Sequence, residues 1–325
     1  VEALSLQREL IARYSIDCDY TPGQMQVAIK LRQAAALENE VVRLQQVYGY
    51  HSMRMMDRVE LRECIASSRY LAATYDPNAG HLQPLQYTRG LARAATSRGV
   101  NIFEHTRALA HRRHDGRIVV RTAAGEVVAR HLALCGNAAL GHYSRELARK
   151  IMGVATYIIA TEPLGEACAR ELIRNNAAVT DTNFVLDYFR RSADHRLLFG
   201  GRVSYSGLDP LGTTRATRVR MLQVFPQLAD ARIEHAWGGY VDITMNRAPH
   251  FGRLEPDVYF VQGFSGHGIA LTGIAGKLLA EAIGGTSERF DIFSRIPHHD
   301  FPGGDALRRP LLVLAMLWYR LRDWL

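Results

Sequence analysis

Apolar positions in the first third of the chain recur at helical spacing and then alternate at strand spacing. Leu31 to Val47 repeats apolar residues every three or four positions, which predicts a long amphipathic helix. Asp57 precedes another helical pattern and, with Glu60, predicts a helix start with a capping box. Tyr70 to Tyr75 alternates as a strand does, and Asp76-Pro77-Asn78 predicts a turn directly after it.

The middle of the chain predicts one helix and several short strands. The helix runs from Leu85 to near Gly99, and Val100 to Glu104 is an apolar run that predicts a strand. Turn residues separate three further strand patterns, which predict a small antiparallel meander, and a buried strand follows. These four segments are Ala108 to His111, Ile118 to Thr122, Val127 to Ala129 and His131 to Cys135.

The second half is richer in antiparallel signals, with a helix at Arg215 to Val224 that ends before Pro226. The predicted strands are Thr156 to Thr161, Phe184 to Arg190, Leu197 to Val203 and Arg232 to Met245. The pattern as a whole predicts a mixed fold, with α/β segments at about 80–145 and 255–285 around a larger antiparallel sheet.

One stretch combines a buried strand with a glycine-rich turn into a helix. Val258 to Val261 is apolar throughout, which fits a parallel strand, and the helix that follows closes at Gly284 and Gly285. Gly263, Gly266 and Gly268 lie between strand and helix, where glycine allows a ligand to approach the backbone. Their order, G-x-x-G-x-G, differs from the dinucleotide fingerprint G-x-G-x-x-G. From the glycines alone, a ligand loop and tight strand–helix packing both remain open.

Composition places the chain among globular proteins, with 47% hydrophobic and 22% charged residues. The net charge of +8 comes from scattered arginines without a basic stripe, which argues against nucleic acid and suits an anionic cofactor or substrate. Four cysteines, Cys18, Cys64, Cys135 and Cys168, lie far apart with no zinc-like spacing, so we expect no metal site and a reduced, cytoplasmic setting.

The tail Leu311 to Leu325 is strongly hydrophobic, but its apolar run ends at Tyr319 and is shorter than the roughly 20 residues of a membrane span. Leu312, Ala315, Met316 and Tyr319 share a helical face. An amphipathic helix docked on the protein and one that contacts a membrane surface or a partner both remain open.

The phrase Gly263-Phe264-Ser265-Gly266-His267-Gly268, followed by a helix of small residues, resembles the C-terminal flavin motif of the FAD-dependent amine and D-amino-acid oxidoreductases. Similarity to one branch, the gamma-glutamylputrescine oxidases, extends along nearly the whole chain. The matching phrases are Tyr14 to Gly23, Gly80 to Pro84, Gly136 to Ala138, Leu197 to Gly201, Phe225 to Leu228, Phe251 to Leu254 and Phe301 to Gly304. Their common order makes a chance resemblance hard to sustain.

The resemblance implies a Rossmann-like FAD-binding domain interleaved with a substrate domain built on a large antiparallel sheet. The FAD-binding domain is expected at 76–150 and 246–325, and the substrate domain at 1–75 and 151–245. Family members carry a first βαβ unit with a G-x-G-x-x-G loop for the FAD pyrophosphate, and the sequence contains no such fingerprint. We therefore expect an N-terminally incomplete member, whose FAD-binding domain lacks that unit.

The resemblance also implies the positions that bind FAD. They are Thr106, Arg107, Ala108, Gly136, Asn137, Ala138, Gly263, Phe264, Ser265, Gly266, His267, Gly268, Ile269 and Ala270. No cysteine lies between Trp237 and Thr244, where sarcosine oxidases attach flavin covalently, so FAD is expected to bind non-covalently. His267, Tyr240 and Trp237 are candidate catalytic residues, although His267 is at a position that the family uses mostly for backbone contact.

Trp237, Tyr240 and Val241 are the candidate substrate-binding residues. Val241 stands where glycine and D-amino-acid oxidases carry a carboxylate-binding arginine, and Ala270 replaces the lysine that anchors carboxylate in sarcosine oxidases. A substrate carboxylate would then be desolvated without its charged partner, which disfavours small amino acids.

The predicted function is FAD-dependent oxidation of gamma-glutamylputrescine or a related amine to an imine and then an aldehyde, with oxygen reduced to hydrogen peroxide. Two alternatives stay open: a non-catalytic remnant that binds no FAD, and a dehydrogenase of the D-amino-acid or glycine type.

Overall fold

The computed structural model describes residues 1–141, 143–204 and 212–304, together with residues 307, 310, 311, 313, 314 and 318. Most of the tail Leu311 to Leu325, including Leu312, Ala315, Met316 and Tyr319 of the predicted amphipathic face, lies outside the described residues.

The elements alternate between helix and strand along the chain. The α-helices are α1 (Glu2–Arg13), α2 (Leu31–Tyr48), α3 (Arg58–Cys64), α4 (Pro84–Ser97), α5 (Arg145–Lys150), α6 (Glu166–Leu172), α7 (Thr213–Val224), α8 (Gly268–Ile283) and α9 (Glu288–Ser294). The strands are β1 (Thr21–Ala28), β2 (Arg54–Met56), β3 (Ala72–His81), β4 (Ala108–His114), β5 (Arg117–Thr122), β6 (Glu126–Ala129), β7 (Leu132–Leu134), β8 (Met152–Thr161), β9 (Ala178–Asp181), β10 (Tyr188–Arg191), β11 (Leu197–Ser204), β12 (Ile233–Ile243), β13 (His250–Glu255) and β14 (Val258–Gln262).

The described chain divides into two compact units that are discontinuous in sequence. Unit 1 comprises residues 1–16, 84–154 and 240–311, and unit 2 comprises residues 17–83 and 155–239 together with the described residues 313, 314 and 318. The mixed α/β class predicted from the sequence is confirmed. The division groups residues 1–16 with 84–154, although the sequence placed all of 1–75 in the substrate domain.

Unit 2 is built on an eight-stranded sheet in the order β12-β8-β11-β10-β9-β1-β3-β2. Most neighbours run antiparallel, while β1 pairs in parallel with β9. Phe189, Phe199 and Phe225 are buried at the centre of its core, with the Phe189 and Phe199 rings stacked at 5.6 Å. Met25 and Val27, two positions apart in β1, lie in the same core, as strand alternation requires.

Unit 1 contains a three-stranded sheet in the order β13-β14-β7 and the meander β4-β5-β6 that the sequence predicted. All residues of β14 are buried, as its apolar run predicted, and α8 follows it with a core that includes Leu278. Helix α1 contacts α8 and α9: Leu6 lies beside Gly273, and Glu2 pairs with Lys277 of α8 at 3.0 Å and with Arg289 of α9 at 2.6 Å.

Two local predictions are wrong. Asp76-Pro77-Asn78 is no turn, because β3 continues through it with an irregularity in its pairing to β1. Strand β2 pairs only with Ala73 to Tyr75. Pro77 lies beyond this pairing, so its lack of an amide hydrogen costs no hydrogen bond to β2. Val100 to Glu104 forms no strand; its residues are exposed, and no described strand pairs with it.

The predicted cap of α3 is half right. The Asp57 carboxylate accepts hydrogen bonds from the amides of Val59 and Glu60, at 2.8 and 2.9 Å, as an N-cap residue should. The Glu60 carboxylate does not return to the Asp57 amide to complete a capping box. It pairs instead with the Arg54 guanidinium, which lowers the pKa of Glu60 through hydrogen bonding.

Candidate functional site

Two of the predicted ligand segments meet at one edge of the unit 1 sheet. Strands β7 and β14 are parallel, with Leu134 opposite Phe260, so the segments that follow them emerge side by side. The Gly263 amide donates a hydrogen bond of 2.9 Å to Asn137 Oδ1, which joins the two segments directly. Ligands bind in open α/β sheets at the carboxyl ends of the strands, and this edge has that geometry.

Gly263 is required by both backbone conformation and packing. Its φ of +73° lies in the left-handed region that favours glycine. A Cβ there would stand 2.5 Å from Thr244 Cγ2 and 3.2 Å from Ile151 Cγ2, closer than packed atoms tolerate. The strand–helix packing that the sequence left open is therefore present at this first glycine.

The space around Gly266, unlike that around Gly263, is open. Its φ is +95°, and no heavy atom lies within 4 Å of the position that a Cβ would take. The next residue, His267, is exposed and occupies the N-cap position of α8, and no side chain caps that helix. The first-turn amides of an uncapped helix carry positive potential, so the open space at Gly266 suits an anionic or electron-rich ligand group.

The segment with Thr106, Arg107 and Ala108 is exposed in unit 1 and leads into β4. A guanidinium nitrogen of Arg107 lies 3.8 Å from the position that a Cβ on Gly141 would take. Gly141 ends the short 3-10 helix Asn137–Leu140. This predicted segment therefore approaches the other two near the sheet edge.

Sequence reasoning missed Asp242, which lies near the unit 1 end of β12. Its side chain is 2% exposed, and its backbone carbonyl accepts a 2.9 Å hydrogen bond from the amide of Ser265 in the glycine loop. Burial raises the pKa of the Asp242 carboxyl to about 6, and the Ala138 backbone amide opposes that rise. The available signal was one acidic residue in the otherwise uncharged strand segment Trp237 to Ile243.

The predicted substrate residues do not all share one face of β12. Tyr240 is 60% exposed, and a methyl group on Gly153 would lie near both Tyr240 and Asp242. Side chains alternate along a strand, so the half-buried Val241 points to the other face. Trp237, 46% exposed, belongs to the part of β12 in unit 2.

Within the described ranges, no group of three or more histidine, cysteine, aspartate or glutamate side chains has the geometry of a metal site. Over the same residues, no single helix has both the length and the apolar character to cross a membrane. Helices α8 and α9 pass that test only as a pair, bent by 119°.

Comparison with known proteins identifies the family. A family model described as FAD dependent oxidoreductase matches residues 1–282. The chain belongs to this family of FAD-dependent oxidoreductases. The fold class and the flavoprotein assignment expected from the sequence are thereby confirmed.

Individual relatives agree with the family assignment. The gamma-glutamylputrescine oxidoreductase of Escherichia coli is 42% identical over 97% of this chain and 74% of its own length. A probable oxidoreductase, OrdL, of Haemophilus influenzae is 38% identical over 99% of this chain and 75% of its own length. The crystal structure of L-proline dehydrogenase from P. horikoshii superposes with a TM-score of 0.78 at 20% identity, covering 90% of this chain and 79% of that one. This last likeness concerns the fold alone.

The residues at the sheet edge fit the flavin portion of FAD. The glycine loop leaves an open cradle at Gly266, the uncapped α8 offers free amides, and the carboxyl ends of β7 and β14 lie beside them. The pyrophosphate fingerprint G-x-G-x-x-G does not occur in the sequence.

Proposed function

We propose that this chain oxidises a primary amine of the type found in gamma-glutamylputrescine. The amine loses two electrons and two protons to give an imine, which water hydrolyses to an aldehyde and ammonia, while oxygen is reduced to hydrogen peroxide. Support for the substrate class comes from the Escherichia coli relative, at 42% identity over 97% of this chain. The family supplies the cofactor, FAD.

The observation that carries the proposal is the uncapped N-terminus of α8 beside the open space at Gly266. Bound FAD would supply a hydride acceptor for the carbon next to the amine, with a ring that is more negative once reduced. The α8 amides and helix dipole stabilise negative charge near the helix start. This arrangement favours the reduced cofactor, and it uses backbone groups that need no proton transfer.

The other segments are assigned supporting roles. Asn137 holds the glycine loop through the Gly263 amide, and the segment Thr106 to Ala108 offers backbone groups to the adenosine part of FAD. His267 is exposed and is assigned backbone contact, since oxidation of a neutral amine needs little acid–base help. Trp237 and Tyr240 orient the amine. FAD binds non-covalently, because no cysteine lies between Trp237 and Thr244.

The proposed specificity depends on two cationic side chains that this chain lacks. Val241 and Ala270 leave a substrate carboxylate without a charged partner at the positions where amino-acid oxidases hold one. Losing a hydrogen bond to a charged group costs about 1.5–3 kcal/mol, which is roughly one to two decades in kcat/KM. The proposal therefore ranks mono-substituted diamines above glycine, sarcosine and D-alanine.

Two measurements test the function. Absorbance in the flavin bands, before and after acid precipitation, reports whether the FAD-reconstituted chain holds the cofactor and whether it is released without a covalent bond. Peroxide release with gamma-glutamylputrescine, glycine, sarcosine and D-alanine then gives the substrate order. Absence of any flavin binding would favour a non-catalytic remnant. Equal or better turnover of D-alanine would favour the amino-acid type, and turnover of the diamine with an artificial acceptor but without peroxide would favour a dehydrogenase.

A further inference from the structure

Three arginine side chains line one cavity in unit 2, called the arginine cavity below. They are Arg170 of α6, Arg174 in the segment after that helix, and Arg191 at the end of β10, and the cavity has a volume of about 340 Å³. That volume is near the lower end of the roughly 300–1,000 Å³ of small-molecule pockets, whose walls are mostly apolar. Of the described residues that line this cavity, Ala193 alone has an apolar side chain. The lining therefore suits a small, charged ligand.

The three guanidinium groups have no carboxylate partner in the described part of the chain. Arg170 is exposed and forms neither a hydrogen bond nor an ion pair with a described residue. Arg174 Nη1 donates to two backbone carbonyls near the end of α3, at 2.7 and 3.3 Å. Arg191 Nε donates to Asn176 Oδ1 at 2.9 Å. All three groups thus keep their positive charge unpaired.

The charges that surround the cavity are predominantly positive. Glu166, one turn before Arg170 in α6, is the one carboxylate among the described lining residues, and three guanidiniums against it leave two positive charges. Burial, and then the charge of Arg170, lowers the pKa of Arg191, while Glu166 opposes this. The nearby Asp194 carboxylate pairs with Arg196 at 2.6 Å instead. The fold therefore holds like charges together, which an anion would relieve.

Two of the arginines are fixed in place while part of each guanidinium stays available. Asn176, which holds Arg191, is itself held, because its carbonyl accepts a 2.8 Å hydrogen bond from His81 Nε2. Arg191 keeps both terminal nitrogens without a partner among the described residues, and Arg174 keeps Nε and Nη2. A guanidinium with two free donors can bind two oxygens of one ligand. This arrangement is preorganised for an oxyanion.

We propose that Arg170, Arg174 and Arg191 form a binding site for a dianionic phosphate group, either free or carried by a small molecule. A phosphate monoester has about 1.5 to 2 negative charges at pH 7, which matches the excess of two positive charges. Its oxygens point in several directions, so arginines from three segments can each reach one, whereas a carboxylate offers two oxygens in one plane. None of the described lining residues is a predicted flavin or substrate residue, so this site does not depend on the proposed function.

The test is calorimetric titration of the purified full chain with glycerol 3-phosphate in a phosphate-free buffer. Arg170→Gln should weaken the Kd about tenfold, and it removes no contact with a described residue that the fold uses. Arg170→Lys keeps the charge but loses the planar fork, so its Kd should lie between those of the parent chain and Arg170→Gln. Glu166→Gln should have the opposite effect and tighten binding roughly two- to fivefold, because it removes the opposing charge.

Arg43→Gln is the matched control, since Arg43 is an exposed arginine of unit 2 that does not line the cavity. It should leave the Kd unchanged. Succinate, a dicarboxylate, should bind at least about tenfold more weakly than glycerol 3-phosphate. Inorganic phosphate, titrated separately, distinguishes the sources: the tighter of the two phosphate probes shows whether the site takes free phosphate or an ester.

Four results would overturn the site. They are no binding of either phosphate probe, succinate binding as tight as phosphate, equal losses in Arg43→Gln and Arg170→Gln, and unchanged or weaker binding by Glu166→Gln. Thermal unfolding establishes that each variant is folded. If Arg170→Gln does not fold, the Arg170→Lys and Glu166→Gln variants decide, because they change the Kd in opposite directions.

Discussion

Asn137 Oδ1 accepts a 2.9 Å hydrogen bond from the backbone amide of Gly263, which lies 126 positions later in the sequence. This hydrogen bond joins the ends of two parallel strands at the sheet edge where the candidate flavin site lies. Asn137 itself adopts φ +49°, a left-handed conformation that asparagine tolerates better than most residues. The Asn137 side chain thus links the two ligand segments beyond the point where β7 and β14 pair with each other.

Asn137→Gly is expected to weaken FAD binding by about fivefold, the equivalent of roughly 1 kcal/mol for one hydrogen bond. Glycine accepts the same φ, so the change removes the side chain without adding backbone strain. Asn137→Asp retains an acceptor oxygen and serves as the control. Flavin fluorescence titration gives both affinities, and equal Kd values for Asn137→Gly and the parent chain would show that the hydrogen bond does not organise the site.

Gly263→Ala should destabilise unit 1 by more than Gly266→Ala does. Both glycines have positive φ, and forcing a Cβ there costs about 1–2 kcal/mol in each case. The Cβ of alanine at position 263 would also clash with Thr244 Cγ2, and such overpacking costs about 1–3 kcal/mol. Thermal unfolding of the two variants measures the difference.

Thr244→Ser offers a specific rescue of Gly263→Ala. Serine removes Cγ2 and keeps the hydroxyl that donates to the Ala248 carbonyl at 2.7 Å. In the double variant the steric part of the loss should be recovered while the conformational strain remains. Failure of Thr244→Ser to recover any stability would place the cost elsewhere in the loop.

Asp181 is expected to make unit 2 less stable as pH rises through neutrality. Burial, and then the charge of Asp187, raises the pKa of Asp181 to about 7. A carboxyl with a raised folded-state pKa contributes stability that is fully present below its unfolded pKa of about 3.9 and is lost as pH rises through 7. The loss reaches at most about 1.4 kcal/mol per pH unit.

Asp181→Asn should remove this slope, since its amide oxygen can still accept from the Asn183 and Asp187 backbone amides. Denaturant unfolding between pH 5 and 8 should therefore show the parent chain losing stability relative to the variant. Burial lowers the pKa of His81 to about 4, so His81 changes the stability with the opposite sign below pH 6.5. This contribution is the same in both chains and cancels when their stabilities are compared. If stability changed with pH in the same way in both chains, the raised pKa of Asp181 would be contradicted.

Val241→Arg should reduce kcat/KM for an N-substituted putrescine by tenfold or more, because the half-buried site would receive a charge without a partner. Strand alternation directs the new guanidinium away from the Asp242 carboxylate. Val241→Leu controls for volume alone. Peroxide release measures both variants, and undiminished diamine oxidation by Val241→Arg would remove Val241 from the substrate pocket.

Where structure follows from local pattern, the sequence was a good guide. Helix α2 and the β14–α8 unit each carry a clear period and clear end signals, so residues 31–48 and 258–283 were predictable. The segment Val100 to Glu104 has strand composition, but a strand also needs a neighbour, which local sequence does not reveal. Pro77 was misjudged for the same reason, since its effect depends on which edge of β3 is paired.

The candidate site shows the same division between local and non-local information. The glycine loop was visible as a phrase, and the family resemblance supplied its neighbours. The role of Asp242 depends on what lies around its oxygens, and those contacts come from Gly153 and Ala138, distant in sequence. An acidic residue in a strand is ordinary until its burial is known.

The pairing of α1 with α8 has a consequence for the order in which the protein is made. Glu2 contacts Arg289, 287 positions later, and ribosomes add about 5–20 residues per second. Helix α1 therefore emerges roughly 15–60 s before its partner exists. The eight-stranded sheet has all of its strands once Ile243 has been added, whereas unit 1 must wait for α8 and α9. The part of the chain proposed to hold the flavin is thus completed after the strands of the eight-stranded sheet have been made.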